Sequence, residues 1–118
     1  MSYDYYGHPR CTTSKAAEKE LNTLGIDSRF IDLTQEAPSP AQLETWMAEG
    51  NWPIKAFFNT SGMKYRELGL KDKVPSMTAE EAAQLLATDG MLIKRPLLVK
   101  DGKLLQIGYR TPYADLEL

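Results

Sequence analysis

Residues 2–33 read SYDYYGHPRCTTSKAAEKELNTLGIDSRFIDL, and the change of rhythm inside this stretch decides the fold. Residues 2–6 are short, aromatic and ended by Gly7-His8-Pro9, which predicts a strand. Residues 12–24 place Ala17, Leu21 and Leu24 on one helical face, while Lys15, Glu18, Lys19 and Glu20 cover the rest. Gly25 suits the left-handed position that ends such a helix. Residues 28–33 predict a second strand, with Phe30 and Ile31 on opposite faces. A strand, a helix and a strand joined by short loops run as a parallel pair with a right-handed crossover.

Further along, the texture becomes helical from about residue 36 to about residue 90. Ser39 predicts an N-cap, with Pro40 at the first helical position and Gln42 completing a capping box. That helix carries Leu43, Trp46 and Met47 and ends near Gly50. Residues 53–59 and 65–68 predict further helical turns, the second stopped by Gly69. Thr78 with Glu81 is a second capping box, opening a helix to about Ala87 that buries Ala82, Leu85 and Leu86. Strands return at residues 96–100 and 103–107, joined by Asp101-Gly102, a type I′ hairpin signal between apolar runs. A short closing helix is expected from Thr111, with Pro112 at its first position. The order is βαβ, a helical block, then ββα. We read an α/β fold of thioredoxin-like arrangement: one four-stranded mixed sheet in a single domain spanning 1–118, with a helical insertion over about 36–90.

At 118 residues, roughly two-thirds of the unfolded surface is buried on folding, enough for a core without staples. Fourteen Lys and Arg against sixteen Asp and Glu leave a net charge of −2, without the basic excess of a phosphate-binding surface, so no direct nucleic-acid contact is expected. A single cysteine and a single histidine exclude an internal disulfide and a multi-Cys or His-rich metal site; no metal and no bound cofactor are expected. The first ten residues lack the apolar core of a signal peptide. The longest apolar runs, 54–58 and 96–99, fall far short of the roughly 20 residues that span a bilayer, so no membrane contact is expected. An unpaired cysteine makes the cytoplasm the default compartment. No Gly-rich phosphate loop, H-E-x-x-H or G-x-S-x-G motif occurs.

What the composition leaves to explain is one thiol. Cys11 falls where the first strand's loop opens the first helix. The first N–H groups of a helix have no intrahelical partners and its N-terminus carries about half a positive charge. A thiolate there is stabilised, and its pKa falls. Arg10 adjoins it, Lys15 lies one turn on, Thr12 begins the helix, and Pro9 stiffens the entry. The competing reading is a small buried hydrophobe. His8 is a candidate to raise the thiolate fraction or shuttle a proton, against a plain loop histidine. Arg95-Pro96 precedes the third strand, and in this fold a proline there is commonly cis and lies beside the cysteine loop. Arg95 would then face the thiol. Arg110, after the hairpin, would offer a second planar guanidinium to an oxyanion; the alternative for both is a solvated surface charge. Residues 59–62, Asn-Thr-Ser-Gly, form a polar turn that either lines the site or is simply a turn.

Three blocks, Tyr6-Gly7-His8-Pro9-Arg10-Cys11-Thr12-Thr13-Ser14-Lys15-Ala16, Tyr65-Arg66-Glu67-Leu68-Gly69-Leu70 and Leu92-Ile93-Lys94-Arg95-Pro96-Leu97-Leu98-Val99, resemble the arsenate reductase / Spx family in order along almost the whole chain. The resemblance implies a thioredoxin-like fold with a helical insertion. It implies Cys11 as the nucleophile toward a small oxyanion, with Arg95 and Arg110 as anion-holding arginines and Pro96 beside the site. Glutathione would be the co-substrate, and glutaredoxin or a similar reductant the partner. Two positions depart from the family pattern. Asn59 stands where those enzymes carry an arginine, and Gly7 where they carry a histidine, His8 being displaced by one. One lost guanidinium removes a charge-assisted hydrogen bond, about 1.5–3 kcal/mol or one to two decades of anion binding. Ser14 stands where the Spx branch often has the second cysteine of a C-x-x-C switch, so no internal disulfide forms and an external thiol must finish any redox cycle. The alternative function the resemblance implies is an Spx-like transcriptional regulator that binds the RNA polymerase α subunit without that switch.

Overall fold

The computed structural model describes residues 2–50, 52–116 and 118; Met1, Asn51 and Glu117, which fall inside the expected 1–118 span, lie outside the described residues. The chain forms two compact units, one from Met1–Asp32 with Arg95–Leu118 and one from Leu33–Lys94.

The first unit holds the sheet. Strands β1 (Tyr3–Gly7), β2 (Ser28–Asp32), β3 (Leu97–Lys100) and β4 (Lys103–Ile107) lie in the order β2-β1-β3-β4. β1 runs parallel to β2, with Tyr5 opposite Phe30, and antiparallel to β3, with Tyr5 opposite Leu98. The parallel pair is bridged by helix α1 (Thr12–Thr23), as the period of Ala17 and Leu21 predicts. Leu24 and Gly25 close it, Gly25 at a φ of 71° where only glycine is at ease. Ile31 is buried and Phe30 remains 41% exposed, so the two do face opposite ways. The β3–β4 hairpin turns at Asp101 and Gly102, whose φ values of 50° and 83° match the type I′ turn that Asp-Gly prefers. A bulge at Leu98/Val99 shifts its register, a feature no local pattern announces. This mixed sheet with its crossover helix is the thioredoxin-like arrangement.

Tyr5, Ala17, Leu21, Leu98 and Tyr113 form the core between sheet and helix. The expected closing helix is only a 3-10 turn, Tyr113–Asp115, with Pro112 at its cap rather than its first position. Its anchor lies far away in sequence. The Glu20 carboxylate accepts hydrogen bonds from the Tyr109 hydroxyl at 2.6 Å, the Tyr113 N–H at 2.5 Å and the Ala114 N–H at 3.1 Å. Partial burial pushes the Glu20 carboxyl up, but these three donors outweigh it and hold it below the usual carboxylate range. Its folded pKa thus lies below its unfolded one, so its stabilisation is complete above about pH 4.3 and fades as pH falls through the folded value. Glu20→Gln should therefore lose about 1–2 kcal/mol at pH 7, a figure kept low because the carboxylate lies near solvent. In urea unfolding the gap between the variant and the native chain should narrow as pH falls below about 4.3.

The second unit is the helical block. It contains α2 (Pro40–Glu49), α3 (Met63–Glu67), α4 (Leu70–Lys73) and α5 (Ala79–Thr88), with 3-10 turns at Ile54–Phe57, Val74–Ser76 and Gly90–Leu92. Ser39 Oγ accepts from the Gln42 N–H at 3.1 Å, but the Gln42 side chain does not return the bond, so only half of the expected capping box forms. Ser39→Ala should cost about 1 kcal/mol, read as a lower urea midpoint at an unchanged slope. The Thr78–Glu81 box is complete: Glu81 N–H to Thr78 Oγ1 at 3.1 Å and Thr78 N–H to Glu81 Oε1 at 3.0 Å. Helix α5 buries Ala82, Ala83 and Leu86, while Leu85 is only half-buried, because the buried stripe is rotated toward Ala83. Leu43, Trp46, Phe57, Phe58 and Leu92 complete this core. At Gly90 an added Cβ would fall 2.0 Å from the Leu33 carbonyl oxygen, so the backbones meet there only through glycine.

Candidate active site around Cys11

β1 ends at Gly7 because the next residues turn tightly. Cys11 N–H donates to the His8 carbonyl at 3.1 Å, and Arg10 N–H to His8 Nδ1 at 2.9 Å. The loop therefore delivers Cys11 to the N-cap of α1 in extended conformation, its carbonyl accepting the first helical bond from Lys15 N–H at 2.9 Å. Below it lies Ser14, 2% exposed. Its hydroxyl accepts from His8 N–H at 3.2 Å, and its carbonyl accepts from the buried Tyr5 hydroxyl. Sheet, loop and helix are thus tied together directly beneath the thiol. Gly7 completes the fit, since a Cβ there would stand 3.1 Å from both Phe30 and Tyr5 ring atoms.

The sulfur is partly exposed and carries no disulfide. It makes no capping hydrogen bond of regular geometry. Four donors nevertheless approach it. Burial pushes the thiol up, but the Ser14 N–H and hydroxyl, the Arg95 guanidinium and the Thr13 N–H outweigh it, and the pKa of Cys11 is lowered from its ordinary value. The N-terminal end of α1 acts in the same sense. A thiol so placed holds more of the nucleophilic thiolate at neutral pH than a free one.

Arg95 lies at the start of the cis Arg95-Pro96 step, just before β3. Its Nε and Nη1 are buried without a hydrogen-bond partner among the described residues. Buried guanidinium donors left unmatched are costly unless something fills them, and the planar fork is shaped for an oxyanion. Pro96 is buried, and its carbonyl accepts from Gly108 N–H at 2.8 Å, fixing the loop that carries Arg95.

The other sequence-predicted residues are placed differently. Arg10 and Thr12 are exposed, and His8 serves as a loop brace through its Nδ1 and backbone. Arg110 is exposed and does not figure among the main influences on the thiol. Asn59 belongs to the helical unit. There its N–H donates to the Leu92 carbonyl at 2.8 Å, its Oδ1 accepts from the Ser61 hydroxyl at 3.3 Å, and its carbonyl accepts from Gly62 N–H at 3.1 Å. It holds its own turn. Two residues were missed as site residues. In the sequence Ser14 stands out only as an absent cysteine, and Tyr5 only as a strand residue. The signal for Ser14 was its place three residues after the N-cap, where a helix N–H points back at the cap side chain. Among the described residues no cluster of three or more His, Cys, Asp or Glu is arranged to hold a metal, and no helix is long and apolar enough to cross a membrane.

Comparison with known proteins agrees with this arrangement. The model of the ArsC family matches residues 6–112. A crystal structure described as a possible arsenate reductase from Streptococcus mutans UA159 superposes with a TM-score of 0.96 at 49% identity, covering 98% of each chain. An arsenate reductase of Rhizobium meliloti is 29% identical over 84% of this chain and 69% of its own. The regulatory protein MgsR of Bacillus subtilis is also 29% identical, over 89% of this chain and 81% of its own.

Proposed function

Because the chain belongs to the ArsC family, we propose that it is a monothiol oxidoreductase of the cytoplasm in which Cys11 attacks as the thiolate. Its target is a small oxyanion or a mixed disulfide. Arg95 orients the anion, and the α1 N-terminus with Ser14 and Thr13 holds the thiolate. Arg110, exposed after the hairpin, is a second anion contact only once substrate is bound. With one cysteine in the chain, the cycle closes through an external thiol such as glutathione, regenerated by glutaredoxin. No metal and no resident cofactor enter the scheme. The observation that carries the reading is a thiol at the start of α1, its pKa lowered by the Ser14, Arg95 and Thr13 donors, beside an arginine whose Nε and Nη1 have no partner among the described residues. With Asn59 where related reductases carry an arginine, arsenate should be a weaker substrate than a glutathione mixed disulfide. A glutathione- and glutaredoxin-coupled assay offered both substrates tests this. Cys11-dependent turnover of either supports the reading, and turnover of neither rejects it.

One observation favours a second reading, namely the similarity to the regulator MgsR along most of both chains. Under it the protein binds the RNA polymerase α subunit and acts without catalysis. Capture of the α C-terminal domain by a chain lacking all Cys11-dependent turnover would favour the regulator over the enzyme.

A further inference from the structure

A groove of about 340 Å³ lies wholly within the helical unit and shares no lining residue with the Cys11 site; pockets for small ligands run from roughly 300 to 1,000 Å³. Its walls come from the 3-10 turn Ile54–Phe57, which packs against the turn Val74–Ser76, and from α3 and α4. Pro53, Ile54, Val74, Pro75 and Met77 give it an apolar lining, and the two prolines make that lining rigid. The polar side chains that reach it are all donors. Lys55 and Lys71 bring two ammonium groups, neither in an ion pair among the described residues. Tyr65, only 6% exposed, forms part of the wall with its ring against Phe58 at a centroid distance of 6.2 Å. Its hydroxyl makes no hydrogen bond among the described residues and is not sealed from the outside, so it is offered to whatever fills the groove. No Asp or Glu lines the groove among the described residues. The sequence around it is locally basic too: residues 53–73 carry five Lys and Arg against two Asp and Glu, in a chain of net charge −2.

We propose that this groove binds a small apolar monocarboxylate, its carboxylate taken by Lys55, Lys71 and the Tyr65 hydroxyl and its tail laid on Ile54, Val74 and Met77. Other ligand classes fit the lining less well. A bare inorganic anion leaves the apolar bed uncovered. An ammonium meets two like charges, and a neutral hydrocarbon leaves the Tyr65 hydroxyl unmatched. The eight lining residues are far fewer than the roughly 20–30 that a protein partner engages on one side, which favours a small molecule as the occupant. The site is independent of Cys11 and needs no chemistry there.

The test is an amide-resolved NMR titration of the full chain at pH 7 with octanoate, octylammonium and acetate, which separate charge from tail. Octanoate should shift the resonances of Ile54, Lys55, Tyr65, Lys71 and Met77 along a saturating curve, and should bind at least about tenfold tighter than either of the others. Lys55→Glu and Lys71→Glu, both at exposed positions, should each weaken it about three- to tenfold. Tyr65→Phe keeps the ring on Phe58 and removes only the hydroxyl, so it should weaken octanoate about two- to tenfold. The remainder of each variant's spectrum reports whether it is folded. Octanoate that leaves these residues unshifted, equal affinities for octanoate and octylammonium, or affinities unmoved by the charge reversals and by Tyr65→Phe would overturn the site. So would shifts of the same residues with an acidic peptide such as Asp-Glu-Leu-Leu-Glu but not with octanoate, which would make the occupant a partner chain. Shifts on raising the protein concentration alone would overturn it as well, by assigning the groove to a second copy.

Discussion

Cys11→Ser should lower coupled turnover by on the order of a thousandfold or more while leaving the fold intact. In the proposed reaction the thiolate sulfur is the attacking atom, and a serine hydroxyl in its place remains protonated at any pH the protein survives. The same donors that favour sulfur anion would hydrogen-bond the hydroxyl without ionising it. The substitution is small, and the side chain is partly exposed, so unfolding midpoints should barely move. A folded Cys11→Ser variant that kept more than a tenth of native turnover would remove the thiol from the mechanism. Circular dichroism and a urea titration on the same sample separate that outcome from misfolding.

Arg95→Ala should act in two ways at once. Its guanidinium favours the Cys11 thiolate, so removing it should raise the thiol's pKa toward the ordinary value. Its Nε and Nη1, without partners among the described residues, are the donors the proposal offers to an oxyanion, and losing such a charge-assisted contact costs about 1.5–3 kcal/mol, or one to two decades in anion affinity. The effect on kcat/KM for an anionic substrate should exceed the effect on alkylation by iodoacetamide, which feels only the pKa. Arg95→Lys separates the two. An ammonium restores charge near the thiolate but not the planar fork, so alkylation should recover more than oxyanion turnover. Equal recovery of both would mean that Arg95 acts on the thiol alone.

Much of this was readable from local pattern, and the reasons are specific. Residues 2–33 carry two different periods separated by Gly-His-Pro and Gly-Ile-Asp, and the structure has the corresponding strand, helix and strand. Asp101-Gly102 forces positive φ at two successive positions, a demand that almost fixes a hairpin. Thr78 and Glu81 satisfy each other within a single turn. The position of Cys11 at a helix start was equally local.

What failed to read was set by partners distant in the chain. The closing turn is anchored by Glu20, on α1, whose carboxylate accepts its first N–H groups, and nothing near residues 111–115 in the sequence announces that partner. The bulge in β3 answers a register, not a residue. Arg95 reached the thiol through sheet order, with β3 beside β1, and nothing near Arg95 in the sequence states that order. Arg110, equally attractive as a charge, stays exposed because nothing in the hairpin turns it inward.

The central property of the site is a thiol held below its ordinary pKa by the start of α1, Ser14 and Arg95. Titrating the ultraviolet absorbance of the thiolate in the native chain, with Cys11→Ser as the blank, measures it directly. A midpoint below the free-cysteine value of about 8.5, moving upward in Arg95→Ala, is the predicted result. A midpoint at or above about 8.5, unmoved by Arg95→Ala, would contradict it and leave Cys11 a structural residue.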